Sequence, residues 1–108
     1  MPVRLGELEQ LVLIALLRLG DDGYGVTVRD EIARRTGRAM SFGTVYSTLA
    51  RLEDKGLVST RLGEPTAERG GRGKKHFVIS SAGRRAVDAS LRALRTMTRG
   101  LDARWELS

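Results

Sequence analysis

Apolar residues recur at helical spacing along most of this chain, interrupted by two short runs that alternate instead. Leu5, Leu8, Val12, Leu16 and Leu19 return every three or four residues and predict a first helix from about Leu5 to Leu19. Leu11, Leu13, Ile14 and Leu17 widen its apolar surface beyond one stripe. Such a helix asks for two neighbours, its own core and a second surface. Gly20, Asp21, Asp22 and Gly23 stop it. Tyr24, Val28 and Ile32 then sit four apart and predict a second helix, Tyr24 to Arg35, closed by Gly37. Ser41 is a preferred N-cap and opens a third. In that helix Phe42, Val45, Tyr46, Leu49 and Leu52 form the inward stripe. Gly43, Thr44, Ser47, Thr48, Arg51 and Lys55 form the opposite face.

The alternating runs are Leu57 to Leu62 and Lys74 to Ser80, joined by the glycine-rich, charged stretch GEPTAERGGRG. They read as a β-hairpin with a long tip. Ser80 caps a last helix expected to run from Ser81 to near Trp105. Its positions Val87, Leu91, Leu94, Thr98, Leu101 and Trp105 alternate in fours and threes, a short heptad-like seam. Gly100 weakens that helix late.

Three helices, a hairpin and a long helix make a mainly α chain with a small β-hairpin. This is the winged helix-turn-helix plan plus a C-terminal dimerisation helix. The division expected is a DNA-binding domain over residues 1–80 and a dimerisation helix over 81–108. The seam and the broad first helix place Leu5, Leu8, Leu91, Leu94, Leu101 and Trp105 at a dimer interface.

Composition narrows the picture. The chain has 108 residues, 41% of them hydrophobic, and no cysteine. It therefore has no disulfide framework, thiolate metal site or cysteine nucleophile. The opening MPVRLGELEQ lacks a signal-peptide layout, and Leu11 to Leu17 is too short to span a bilayer. A soluble cytoplasmic protein is expected. Net charge is +6, and it is unevenly spread. Residues 1–40 hold six basic and six acidic side chains, residues 41–79 seven and four, and residues 80–108 six and three. Within the middle block, Arg69 to Lys75 carries Arg69, Arg72, Lys74 and Lys75 with no acid among them, and such charge draws polyanions.

In the winged plan the third helix enters the major groove and the hairpin tip touches backbone or minor groove. Small, acid-free residues suit that approach, and hydroxyls bond phosphates or base edges. The expected DNA contacts are Tyr24, Ser41, Gly43, Thr44, Tyr46, Ser47, Thr48 and Arg51, with Arg69, Arg72, Lys74 and Lys75 from the hairpin. Each has a plainer reading. Ser41 caps a helix with or without DNA, Thr44, Ser47 and Thr48 are ordinary solvent positions, and the Tyr46 ring belongs to the core with its hydroxyl at the rim. It is the combination that points to DNA.

Other classes fare worse. His76, the only histidine, suits a partly exposed strand position or a phosphate contact better than catalysis. No Ser-His-Asp set, carboxylate pair or metal cluster is evident, so neither an enzyme nor a cofactor is expected. GGRGKK is not a phosphate loop. The earlier glycine of that motif is Glu68 here, and no Ser or Thr follows Lys74. The alternative is a winged helix that binds proteins, but such modules often lose the small recognition face and basic wing.

The stretches LGELEQLVLIALLRLGDDGYGVTVRDEI, SFGTVYSTLARLEDKGLVSTR and GGRGKKHFVISSAGRRA resemble the PadR family of bacterial transcription regulators. The resemblance covers Leu5 to about Val87. Its most specific part is Gly43-Thr44-x-Tyr46 followed by Leu49, Leu52, Glu53, Lys55, Gly56 and Leu57. Family members commonly carry proline where Ser81 stands. The resemblance implies a homodimer, usually a repressor, on a dyad-symmetric operator of double-stranded DNA. It implies a last helix packed on the partner's first helix, here in the short C-terminal form. Some members release DNA on binding a small aromatic or drug-like effector. Trp105 would either stack on such an effector or anchor the seam.

Overall fold

The computed structural model describes residues 4–62 and 75–101. Its elements follow the predicted order: α1 (Glu7–Leu19), α2 (Gly25–Thr36), α3 (Phe42–Asp54), β1 (Val58–Leu62), β2 (Lys75–Ile79) and α4 (Ser81–Thr98). A 3-10 turn at Gly20–Asp22 separates α1 from α2.

Local chemistry sets the helix ends. α1 starts two residues later than its apolar repeat, because the Gly6 N–H donates to the Glu9 carboxylate at 2.9 Å and fixes Gly6 as the cap. Leu5 therefore precedes the helix, although it still packs on the core. Thr27 receives the Tyr24 N–H at 2.9 Å and opens α2. Gly37 ends α2, its N–H bonded to the Ala33 carbonyl at 2.9 Å. Ser80 caps α4 by accepting from the Gly83 N–H at 3.0 Å.

The core is built from one stripe of each element. Val12, Leu13 and Leu16 of α1 meet Val28 and Ile32 of α2 and Val45, Leu49 and Leu52 of α3. Leu57, Val58, Phe77, Ile79 and Val87 close it from the hairpin and α4. Each such side chain contributes about 1.5–3 kcal/mol on burial. Phe42 departs from the expected inward stripe. It is 40% exposed as the first residue of α3, its ring tilted against Tyr46 at 5.4 Å between centroids.

β1 and β2 pair antiparallel, from Val58 opposite Ile79 to Leu62 opposite Lys75. The hairpin base is fastened to the start of α2. The Phe77 N–H donates to the Gly23 carbonyl at 2.7 Å, and Tyr24 forms a bridge with His76. His76 is consequently buried, 3% exposed, not the partly exposed position expected. It lies edge-on to the Tyr24 ring at 5.2 Å.

α4 begins as part of the same body. Gly83 and Val87 are buried, and the Ser80 hydroxyl donates to the Gly56 carbonyl at 2.8 Å. Beyond Leu91 every described residue is exposed. The helix ends at Thr98, short of the expected Trp105. Arg99 is extended and Gly100 has φ +87, a conformation that breaks the helical run.

Candidate nucleic-acid interface

The first turns of α3 carry the strongest constellation. The Ser41 hydroxyl accepts from the Thr44 N–H at 3.0 Å and donates to the Thr44 hydroxyl at 2.9 Å. Ser41 is thereby committed to capping, and Thr44 Oγ1 keeps its own proton to donate outward. Ser41, Gly43, Thr44 and Ser47 are all exposed. No acidic residue stands in the first turn of α3. The surface there is small, hydroxyl-bearing and uncharged, at the positive end of a helix dipole.

Thr48 does not belong to this surface. It is 1% exposed and its hydroxyl donates to the Thr44 carbonyl at 2.9 Å. One turn past Val45 it faces inward, and its polarity is satisfied by its own helix. Thr48, expected on the outer face, is instead buried in the core.

Two tyrosines frame the region. The Tyr46 ring is partly buried against Phe42 and meets Phe77 edge-on at 5.8 Å. Tyr24 stands half-buried at the head of α2. Lys75 lies along this aromatic wall, its Nζ 5.7 Å from the centroids of both Tyr46 and Phe77 and 4.0 Å from Glu53. Its charge sits at the outer end of the paired strands, opposite Leu62. Arg69, Arg72 and Lys74, the other expected hairpin contacts, lie outside the described residues.

The far end of α3 is differently arranged. Arg51 is exposed, but its Nε lies 3.8 Å from Glu9 on α1, and its Nη2 donates to Thr48 at 3.4 Å. Lys55 Nζ reaches the same carboxylate at 2.8 and 3.0 Å. Glu9 is 6% exposed. Burial pushes its carboxyl upward, but hydrogen bonds from Lys55 and Gly6 and the charges of Lys55 and Arg51 outweigh burial and hold it below its ordinary value. Nothing in the spacing of Glu9 along α1 marks this partnership, since its partners lie more than 40 residues away.

A second carboxylate collects cations on α2. Glu31 accepts from Arg35 and Arg34 and lies 3.8 Å from Arg18 of α1. Hydrogen bonds from Arg35, then Arg34, lower its carboxyl.

The expected dimer residues divide into two groups. Leu5, Leu8 and Leu91 are partly buried against their own core. Leu94 and Leu101 are exposed, as is Met97 at 77%, which the alternating seam passes over. Trp105 lies outside the described residues. Among the described residues no helix is long and apolar enough to cross a membrane, and no group of His, Cys, Asp and Glu could hold a metal ion.

Comparison with known proteins places this arrangement. A PadR family transcription regulator from Clostridium difficile R20291 superposes with a TM-score of 0.72 at 20% identity, over 87% of this chain and 93% of that one. A PadR-like transcriptional regulator from Bacillus cereus ATCC 14579 gives 0.72 at 16% identity, over 94% and 93%. Bordetella bronchiseptica BpsR, whose DNA binding is regulated by 6-hydroxynicotinic acid, gives 0.63 at 20% identity, over 91% and 68%. No curated protein matches the sequence. At these identities the superpositions speak to fold. In sequence, residues 13–89 match the model described as the Transcriptional regulator PadR-like family, whose members are transcription regulators and not enzymes. The match covers most of the chain, which therefore belongs to the PadR-like family of transcriptional regulators.

Proposed function

We propose that the protein is a sequence-specific repressor that binds a near-palindromic operator as a homodimer. The observation that carries this reading is the outer face of α3, where exposed Ser41, Gly43, Thr44 and Ser47 follow one another with no acid in the first turn. Thr44 and Ser47 read base edges, Ser41 and Gly43 allow close approach to phosphate, and Lys75 with Arg69, Arg72 and Lys74 grips the flanking backbone. Tyr24 and Tyr46 stand at the rim, within reach of phosphate through their hydroxyls.

The dimer supplies the second half-site. Leu94, Met97 and Leu101 are large apolar side chains left in water. A partner's α1, with Leu17 39% exposed, is their natural cover. Two α3 helices held about 34 Å apart then enter successive major grooves. Repression follows from covering the promoter. A small aromatic effector would release the operator by changing the angle between the two reading helices. The regulation of BpsR by 6-hydroxynicotinic acid is a parallel on the same fold.

The test is fluorescence anisotropy on DNA from upstream of the protein's own gene, against a shuffled duplex, across a salt series. Preference for the upstream DNA by about 10³ or more is expected of a sequence-specific regulator. Equal weak binding to both duplexes would remove the specific-repressor reading. No binding at low salt would turn the α3 face into a protein-docking surface.

A further inference from the structure

The charges on α3 are distributed in an unusual way for a helix proposed to enter a groove. Its first two turns carry none. Its last two carry Arg51 with Glu53 and Asp54, Lys55 caps the end, and the two cations Arg51 and Lys55 are both drawn to one carboxylate on another helix. Glu9 Oε2 is 2.8 Å from Lys55 Nζ and 3.8 Å from Arg51 Nε, while Oε1 is 3.0 Å from Lys55 Nζ. Glu9 is itself fixed, because Oε1 also accepts the Gly6 N–H that starts α1. Its side chain is only 7% exposed, against 57% for Arg51 and 37% for Lys55. An ionised carboxylate so enclosed cannot lose its cations without being left uncompensated, which disfavours their release.

We infer that Glu9 is a specificity-determining residue: it withholds Arg51 and Lys55 from DNA phosphate. This rests on the proposed DNA-binding role of α3. Cations that reach phosphate strengthen binding to every sequence alike, whereas base-edge contacts strengthen one. By neutralising the two cations at the C-terminal end of α3, Glu9 lowers affinity for random DNA and leaves discrimination to the hydroxyls of Thr44 and Ser47. It also fastens the C-terminal end of α3 to α1, so the helix presents its N-terminal end. Glu9 touches no DNA and acts through the two cations.

The test is the salt dependence of binding to the shuffled duplex, measured on the full chain. Each phosphate contact contributes about 0.9 to the slope of log K against log salt. Glu9→Gln keeps the shape and removes the charge. It is expected to steepen the slope by about 1 to 2, as one or both cations turn to phosphate, and to lower the ratio of operator to random affinity. Glu9→Gln with Arg51→Gln and Lys55→Gln is expected to return the slope to the native value. A loss of melting temperature alone, with native slope, would overturn the inference and leave Glu9 a structural residue.

Should Glu9→Gln fail to fold, Arg51→Gln and Lys55→Gln singly in the native background decide the matter. Withheld cations contribute nothing, so each variant keeps the native slope. A drop of about 0.9 in either would overturn the inference. Failure of the native protein to bind any DNA would sink the parent reading and this one with it. Native operator binding with an unmoved Glu9→Gln slope would sink this one alone.

Discussion

Gly83 lies directly against the carbonyl of Leu57: a Cβ built on Gly83 would stand 2.2 Å from that oxygen and 2.7 Å from Ile79 Cγ1. The contact joins the first turn of α4 to the turn that follows α3. Because the obstacle is backbone, it cannot rotate away. Gly83→Ala is expected to destabilise the fold by about 1–3 kcal/mol. Thermal melting would register this as a fall of ~4–8 °C per kcal/mol. An unchanged melting temperature would show that α4 can lift off the body without loss.

The three hydroxyls of α3 separate by burial. Thr44→Ala with Ser47→Ala is expected to reduce operator binding by about tenfold or more, on the scale of ~1–3 kcal/mol for a lost base contact, with little change on random DNA. Thr48→Ala is expected to leave the ratio of the two affinities unaltered and to lower the melting temperature only. Competition binding with operator and shuffled duplexes distinguishes the cases.

The exposed apolar residues of α4 give a third expectation. Leu94→Asp with Met97→Asp is expected to yield a monomer by light scattering, with most of the helical circular dichroism retained. Operator affinity should fall with it, since one half-site then binds alone. A dimer that survives the double substitution would move the interface away from α4.

Acid should weaken the fold through two carboxylates. Glu9 and Glu31 both have lowered values in the folded chain, from an ordinary value of 4.5. Their contribution is therefore complete above 4.5 and is lost as pH falls through the lower folded values. Melting temperature is expected to drop below pH 4.5, and Glu9→Gln to flatten the drop. A melting curve indifferent to Glu9→Gln throughout this range would contradict the pairing with Lys55.

Much of this was legible in the sequence because periodicity carries burial. Val12, Leu16, Val28, Ile32, Val45, Leu49 and Leu52 all fall in the core from their spacing alone. The errors have local causes. Thr48 reads as a surface hydroxyl, yet a threonine can satisfy itself on the carbonyl four residues back and go inward. Phe42 reads as core by its side chain, yet it is the first residue of α3. His76 reads as a partly exposed strand position, yet the bridge to Tyr24 buries it. The Glu9 partnership is invisible because it links α1 to the end of α3, and no local pattern encodes such a long-range pair.

The outer half of α4 has one more consequence. From Arg92 to Thr98 every residue of it is exposed. A helical stretch of this length is marginal in water on its own, since fewer than about 12–15 residues rarely hold a helix unaided. In the proposed dimer its order would be reinforced by mass action, folding of that segment and encounter with the partner being one equilibrium. The protein's own abundance would then set how much of the proposed dimer forms.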